Sequence, residues 1–191
     1  MTPAMTRVLL TTVLWCTATV ASAPEAQTAR VPRGWILHTM QEEQFQVALP
    51  REPTLRRSTV QTLAGPARLT GWIVDKGHEE LAVVVTRLEP GLLAESPVDP
   101  QALLEGWRDE VVNGMRATLQ SDRAFFVAGP PAGPSSYAAR EFEVLLPNRT
   151  RVLNRGIVAG DRLIHLAFSG KGTSSKSFYL MAASFSFLGS R

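Results

Sequence analysis

The sequence predicts an α+β protein: a mainly antiparallel central sheet flanked by two main helices, an αβα sandwich. Three observations predict it. Short runs rich in β-branched and aromatic residues are separated by Gly, Pro and Asp turns, so consecutive strands join directly and pair antiparallel. Apolar residues recur every four positions at Leu103, Trp107, Val111, Met115 and Leu119, the stripe of a helix laid on a sheet. A second stripe falls at Phe178, Met181, Ala182, Phe185 and Leu188. Several strands are apolar on both faces, so helices must cover the sheet.

Trp35 to Met40 is a short strand candidate, and Phe45 to Leu49 is a half-buried strand ended by Pro50. Arg57 to Leu63 is rich in β-branched residues, and Gly65-Pro66 turns it back into Ala67 to Val74. Leu81 to Leu88 is apolar on both faces and reads as the central strand. Pro97 and Pro100 break the β pattern. Asp99 then caps the first helix and Pro100 occupies its first position, where no N–H is needed. Arg123 to Val127, Tyr137 to Leu146, Arg151 to Val158 and Arg162 to Phe168 are four more strands. The second helix spans Ser174 to Phe187, with its last residues extended. Trp35, Trp72, Trp107, Phe125, Phe126, Phe142 and Phe168 are assigned to the core.

Composition narrows the chemistry. The chain has 191 residues, the length of one domain. It is 45% hydrophobic and 19% charged, too apolar to be disordered. Its single cysteine, Cys16, rules out a disulfide scaffold and a multi-cysteine metal site. The net charge is only +3, and no basic run interleaved with aromatics appears, so nucleic acid is not expected as a partner.

Residues 1–22 read as a secretory signal peptide: Arg7, an apolar run from Val8 to Val20, then small residues. The run is too short and too rich in Thr for a membrane-spanning helix. Cleavage after Ser22 keeps Pro24 away from the first position beyond the cut, where a fixed φ and a missing N–H would obstruct an extended substrate. A lipoprotein reading would acylate Cys16, but Trp15 stands where a small residue is wanted. Residues 23–33 are a flexible leader and 34–189 one domain. The expected address is periplasmic or extracellular, with no membrane span in a mature chain that lacks cysteine.

The stretch Phe45-Gln-Val-Ala-Leu-Pro50-Arg-Glu-Pro53 resembles the F-x-V-x-x-P-x-x-P opening of PsbP-like and Mog-like domains. The strand Arg162 to Phe168, followed by a helix closing on Ala183, Ser184, Phe185 and Phe187, resembles their end. The resemblance implies an αβα sandwich with a central antiparallel sheet over Trp35 to Phe187. Members of these families act as binding or assembly modules; PsbP proteins assist photosystem II and Mog-type proteins bind a small GTPase. No motif here carries over either partner.

No catalytic constellation emerges. Ser169 to Lys176 invites a phosphate-loop reading, but Gly172 follows Lys171 where Ser or Thr is required, and His165 takes the place of the first glycine. What remains is a strand-to-helix connection, or weak anion binding at the helix start. There is no Gly-x-Ser-x-Gly elbow. His78 neighbours Glu79 and Glu80 without metal-ligand spacing, and no metal or cofactor is expected. Asn148-Arg149-Thr150 is a glycosylation sequon only in a eukaryotic pathway, and the arginine bias points to a bacterium. Glu141 and Glu143 on one strand, with Arg149, Arg151 and Arg155 on its neighbour, form cross-strand ion pairs or a face for an acidic partner.

The function read from the sequence is therefore an exported, non-catalytic binding or assembly module of the bacterial cell envelope, with an unknown protein partner. The alternative is a carrier of a small apolar ligand in a helix–sheet cleft beside Trp107.

Overall fold

The computed structural model describes residues 30–62, 65–87, 99–171 and 174–189. The expected signal peptide, Cys16, most of the expected leader and the break at Glu89 to Pro97 lie outside the described residues. Ten strands run β1 (Ile36–Met40), β2 (Phe45–Leu49), β3 (Thr54–Thr62), β4 (Gly65–Asp75), β5 (Glu79–Arg87), β6 (Thr118–Ala128), β7 (Ser136–Leu145), β8 (Arg151–Ala159), β9 (Arg162–Gly170) and β10 (Ser186–Phe187). Helix α1 (Pro100–Gly114) stands between β5 and β6, and α2 (Lys176–Ser184) between β9 and β10.

Seven strands form one sheet in the order β3-β4-β5-β9-β8-β7-β6, and every pairing is antiparallel. Tight turns make the local pairings. Between β8 and β9, Ala159 faces Arg162 across Gly160 and Asp161, and Gly160 takes a φ of 63°, which glycine adopts without strain. One connection is not local. The segment carrying α1 takes the chain from β5 to the far edge, and β6 to β9 then meander back until β9 pairs with β5. A separate small sheet, β1-β2-β10, joins the first strands to the last.

The two faces of the large sheet are covered differently. On one, Leu104 and Trp107 of α1 pack on Phe142, Val158 and Gly156. On the other, Phe178 and Met181 of α2 and Phe45, Val47 and Leu49 of β2 share one core with Leu81, Val83, Leu166 and Phe168. So α2 shares its layer with the small sheet. Ser184 ties the two: its buried hydroxyl accepts from the Ala48 N–H (2.8 Å) and donates to the Met181 carbonyl (2.7 Å).

Three sequence expectations need correction. Asp99 caps α1 as expected, accepting from the Gln101 N–H at 3.0 Å, but the helix stops at Gly114. Arg116 then turns to a φ of 50°, and Leu119 belongs to β6. The four-residue stripe continues past the helix only because Leu119, the one apolar residue at the start of the edge strand, falls on its period. The run Thr118 to Asp122 is polar enough to hide a strand, yet its ladder to β7 forms it. Phe126 is not core: it is 67% exposed on that edge.

Candidate functional site

The acidic pair and arginines singled out in the sequence divide in three. Arg149 is not on the strand; it sits in the β7–β8 turn with a φ of 63°. Glu143 pairs with Arg151 at 2.7 Å. Glu141 is buried and directly opposite Arg155. Its Oε2 accepts from Arg155 Nε (2.9 Å) and its Oε1 from Arg123 (2.7 Å), while Arg155 also donates to the Ala182 carbonyl at 3.2 Å. Both guanidiniums lie against the Phe125 ring, at 5.4 and 5.2 Å from its centre. These residues neutralise one another and leave Glu141 little surface to offer a partner.

The region beside Trp107 is filled. A Cβ on Gly156 would lie 2.5 Å from the Trp107 ring and 2.9 Å from Leu104, so the strand meets the helix where only glycine fits. Trp107 also stands edge-on to His165, 4.7 Å between ring centres. His165 Nε2 bonds Asn154 Oδ1 at 2.9 Å, and burial lowers its pKa to about 4, so it is neutral near pH 7. Asn154 Nδ2 is buried without a partner among the described residues. Among the described residues no group of three or more His, Cys, Asp and Glu comes together, and no helix is long and apolar enough to cross a membrane.

The open space lies on the opposite face, at the β3–β5 end of the sheet. There the register aligns arginines that are far apart in the chain. Arg68 of β4 faces Arg87 of β5, and Arg87 faces Arg162 of β9. Arg57 lies on the same face of β3, facing Thr70, two pairs along from the Thr59–Arg68 pair. Like charges directly opposite on a sheet repel, so the row needs counter-charge. The turn Gln41–Glu43 supplies part of it. Glu43, buried, accepts from Arg87 at 2.8 Å and stands 3.9 Å from Arg162. The hydrogen bond to Glu43 outweighs burial and raises the Arg87 pKa further. Asp161 is 3.8 Å from Arg162, and Glu42 is 3.9 Å from Arg57.

Compensation fades toward the sheet edge. Side-chain exposure is 16% for Arg162, 41% for Arg87 and 64% for Arg57. Arg68, also exposed, has no carboxylate or hydrogen-bond partner among the described residues. Arg57, Arg68 and Arg87, with Thr59 and Thr70, line a groove of about 580 Å³, and Arg162 lies beyond it behind Glu43. Guanidinium donors in a fixed fork suit a carboxylate or phosphate. Sequence reading missed this site because its four arginines come from four strands. The only local trace is the spacing of Arg57 and Arg68 across one hairpin.

No family model matches the chain, and no curated protein matches it in sequence. Among solved structures it is similar to cyanobacterial PsbP (CyanoP) from Synechocystis sp. PCC 6803, with a TM-score of 0.50 and 14% identity over 81% of this chain and 92% of that one. A Pseudomonas aeruginosa protein of unknown function matches with a TM-score of 0.37 and 7% identity, over 72% of this chain and 83% of that one. The likeness to PsbP is one of fold.

Proposed function

We propose that this chain is an exported, non-catalytic binding module of the bacterial envelope, and that it docks an acidic protein surface in the arginine groove. One observation carries the reading: Arg68 stands in a row with Arg87 and Arg162, exposed and without a counter-ion among the described residues. A partner carboxylate would relieve that repulsion and gain bidentate hydrogen bonds. Export rests on the leader at residues 1–22 and is tested apart from docking. Fractionation should place the protein outside the cytosol, with Ala23 as its first residue; an intact leader on cytosolic protein overturns the address.

Docking is tested by affinity capture from the envelope, comparing the natural chain with Arg57→Glu/Arg68→Glu. Both side chains are exposed and Arg68 has no partner among the described residues, so the double variant should fold normally. It should lose its partners, and capture by the natural chain should weaken with salt, as an exposed charge contact must. Equal recovery of the same partners by both proteins would overturn the groove as the docking site.

A further inference from the structure

The other end of the same sheet face carries a second groove, which the docking reading does not use. Strand β5 runs from Glu79 in this groove to Arg87 in the arginine groove. Its volume is about 410 Å³, within the size range of small-molecule sites. The chain has 20 basic residues but only three lysines, Lys76, Lys171 and Lys176, and all three line this groove. They come from the β4–β5 turn, the end of β9 and the start of α2, so the fold alone brings them together.

Only one of the three is compensated. Lys76 pairs with Glu79, whose Oε1 also accepts from the Ser177 hydroxyl at 2.9 Å. Burial opposes ionisation of Glu79, but the hydrogen bonds from Lys76 and Ser177, with the charges of Lys76 and His78, hold its pKa below the usual carboxylate range. Glu79 therefore stays charged and cancels one ammonium. Lys171 and Lys176 are exposed and have no carboxylate partner among the described residues. Two positive charges in excess, on flexible stems with rotatable donors, match a dianion better than a single carboxylate. Trp35 and Phe168 add an aromatic wall.

We propose that this groove binds a small ligand bearing a phosphate group, with its apolar or aromatic part against Trp35. Lys171 and Lys176 contact the phosphate, while Glu79 holds Lys76 and Ser177 in place at its edge. The phosphate could come from a soluble monoester or from a lipid headgroup, and the test separates these sources. The purified protein is titrated with phenyl phosphate, with inorganic phosphate, and with phosphatidylcholine vesicles with or without phosphatidic acid, while backbone amide NMR shifts are followed.

Phenyl phosphate should bind more tightly than inorganic phosphate and shift the amides of Lys76, Lys171 and Ser177. Lys171→Gln/Lys176→Gln, whose exposed side chains can change without loss of fold, should weaken it at least tenfold. Arg57→Glu/Arg68→Glu should leave it unchanged, which keeps this test independent of the docking reading. Binding to vesicles that contain phosphatidic acid but not to phosphatidylcholine alone, competed by phenyl phosphate and lost in the lysine variant, assigns the group to a headgroup; phenyl phosphate binding alone assigns it to a soluble ester. Shifts spread over both grooves, or affinity unchanged in the lysine variant, overturn the proposal.

Discussion

The two halves of the large sheet use arginine in opposite ways. Under α1, Arg140 is buried and fully answered. Its Nε and Nη2 meet the two oxygens of Asp122 at 2.7 Å each, and Nη1 meets Glu105 at 3.0 Å. Arg108 reaches the same Asp122 from the helix. At the β3–β5 end, arginines stand in a row with too few carboxylates, and the outer ones face water. The first arrangement anchors a helix. The second leaves charge available, at little cost because it is exposed. Where a charge is buried its partners must be internal; where it is exposed they can be supplied by another molecule.

That contrast makes predictions, from the largest effect to the smallest. Phe142 lies under Trp107 with 5.0 Å between ring centres. Phe142→Ala should cost about 3–5 kcal/mol in urea unfolding, because the helix cannot collapse onto the space. A loss under 1 kcal/mol would mean that α1 is not packed as described.

The next prediction concerns pH. His165 has a folded pKa of about 4 against an ordinary 6.5, because burial disfavours its charged form. As pH falls, the unfolded chain takes up that proton first. Stability is therefore unaffected by His165 above 6.5 and declines between 6.5 and 4, by about 3 kcal/mol at most. Urea midpoints at pH 7 and pH 4.5 measure the decline, and His165→Gln should flatten it. An NMR titration of His165 near 6.5 would refute this.

Asp122 works over a lower window. Burial raises its pKa, but the hydrogen bonds from Arg140 and Arg108 outweigh that and hold it below the ordinary value of 3.8. Its pairs thus contribute fully above that value and are lost as pH falls through the folded pKa. Asp122→Asn at pH 7 should cost about 1.5–3 kcal/mol, because it weakens charged hydrogen bonds to a buried guanidinium. The smallest effect belongs to the open end: Arg68→Ala should change stability by less than about 0.5 kcal/mol. If the two substitutions cost the same by denaturation, the distinction between the halves fails.

Much of the local structure was legible because its causes are local. Asp99 before Pro100 marks a helix start by capping chemistry, and Gly160-Asp161 marks a hairpin by backbone conformation. The cross-strand pairing of Glu141 with Arg155 followed from alternation on two strands joined by a short turn. The start of β6 was not legible, since Thr118 to Asp122 is strand by pairing rather than by propensity. Arg149 was misplaced because the turn from Leu146 to Thr150, closed by the Leu146 N–H on the Thr150 carbonyl, takes it off the strand. The exposure of Phe126 followed from its place on the edge strand, which no residue type announces.

What the sequence by itself determined is the set of elements: side-chain periods of two and of about four, turn residues and a cap act within a few positions, and they alone yield an antiparallel α+β chain. The tertiary structure decided which strands are neighbours. By carrying the chain to the far edge and back, the fold sets β9 beside β5, and only then do Arg68, Arg87 and Arg162 form one row and three scattered lysines one groove. Alternation is a property of a single strand, whereas a row across three strands depends on register that burial of a shared core selects.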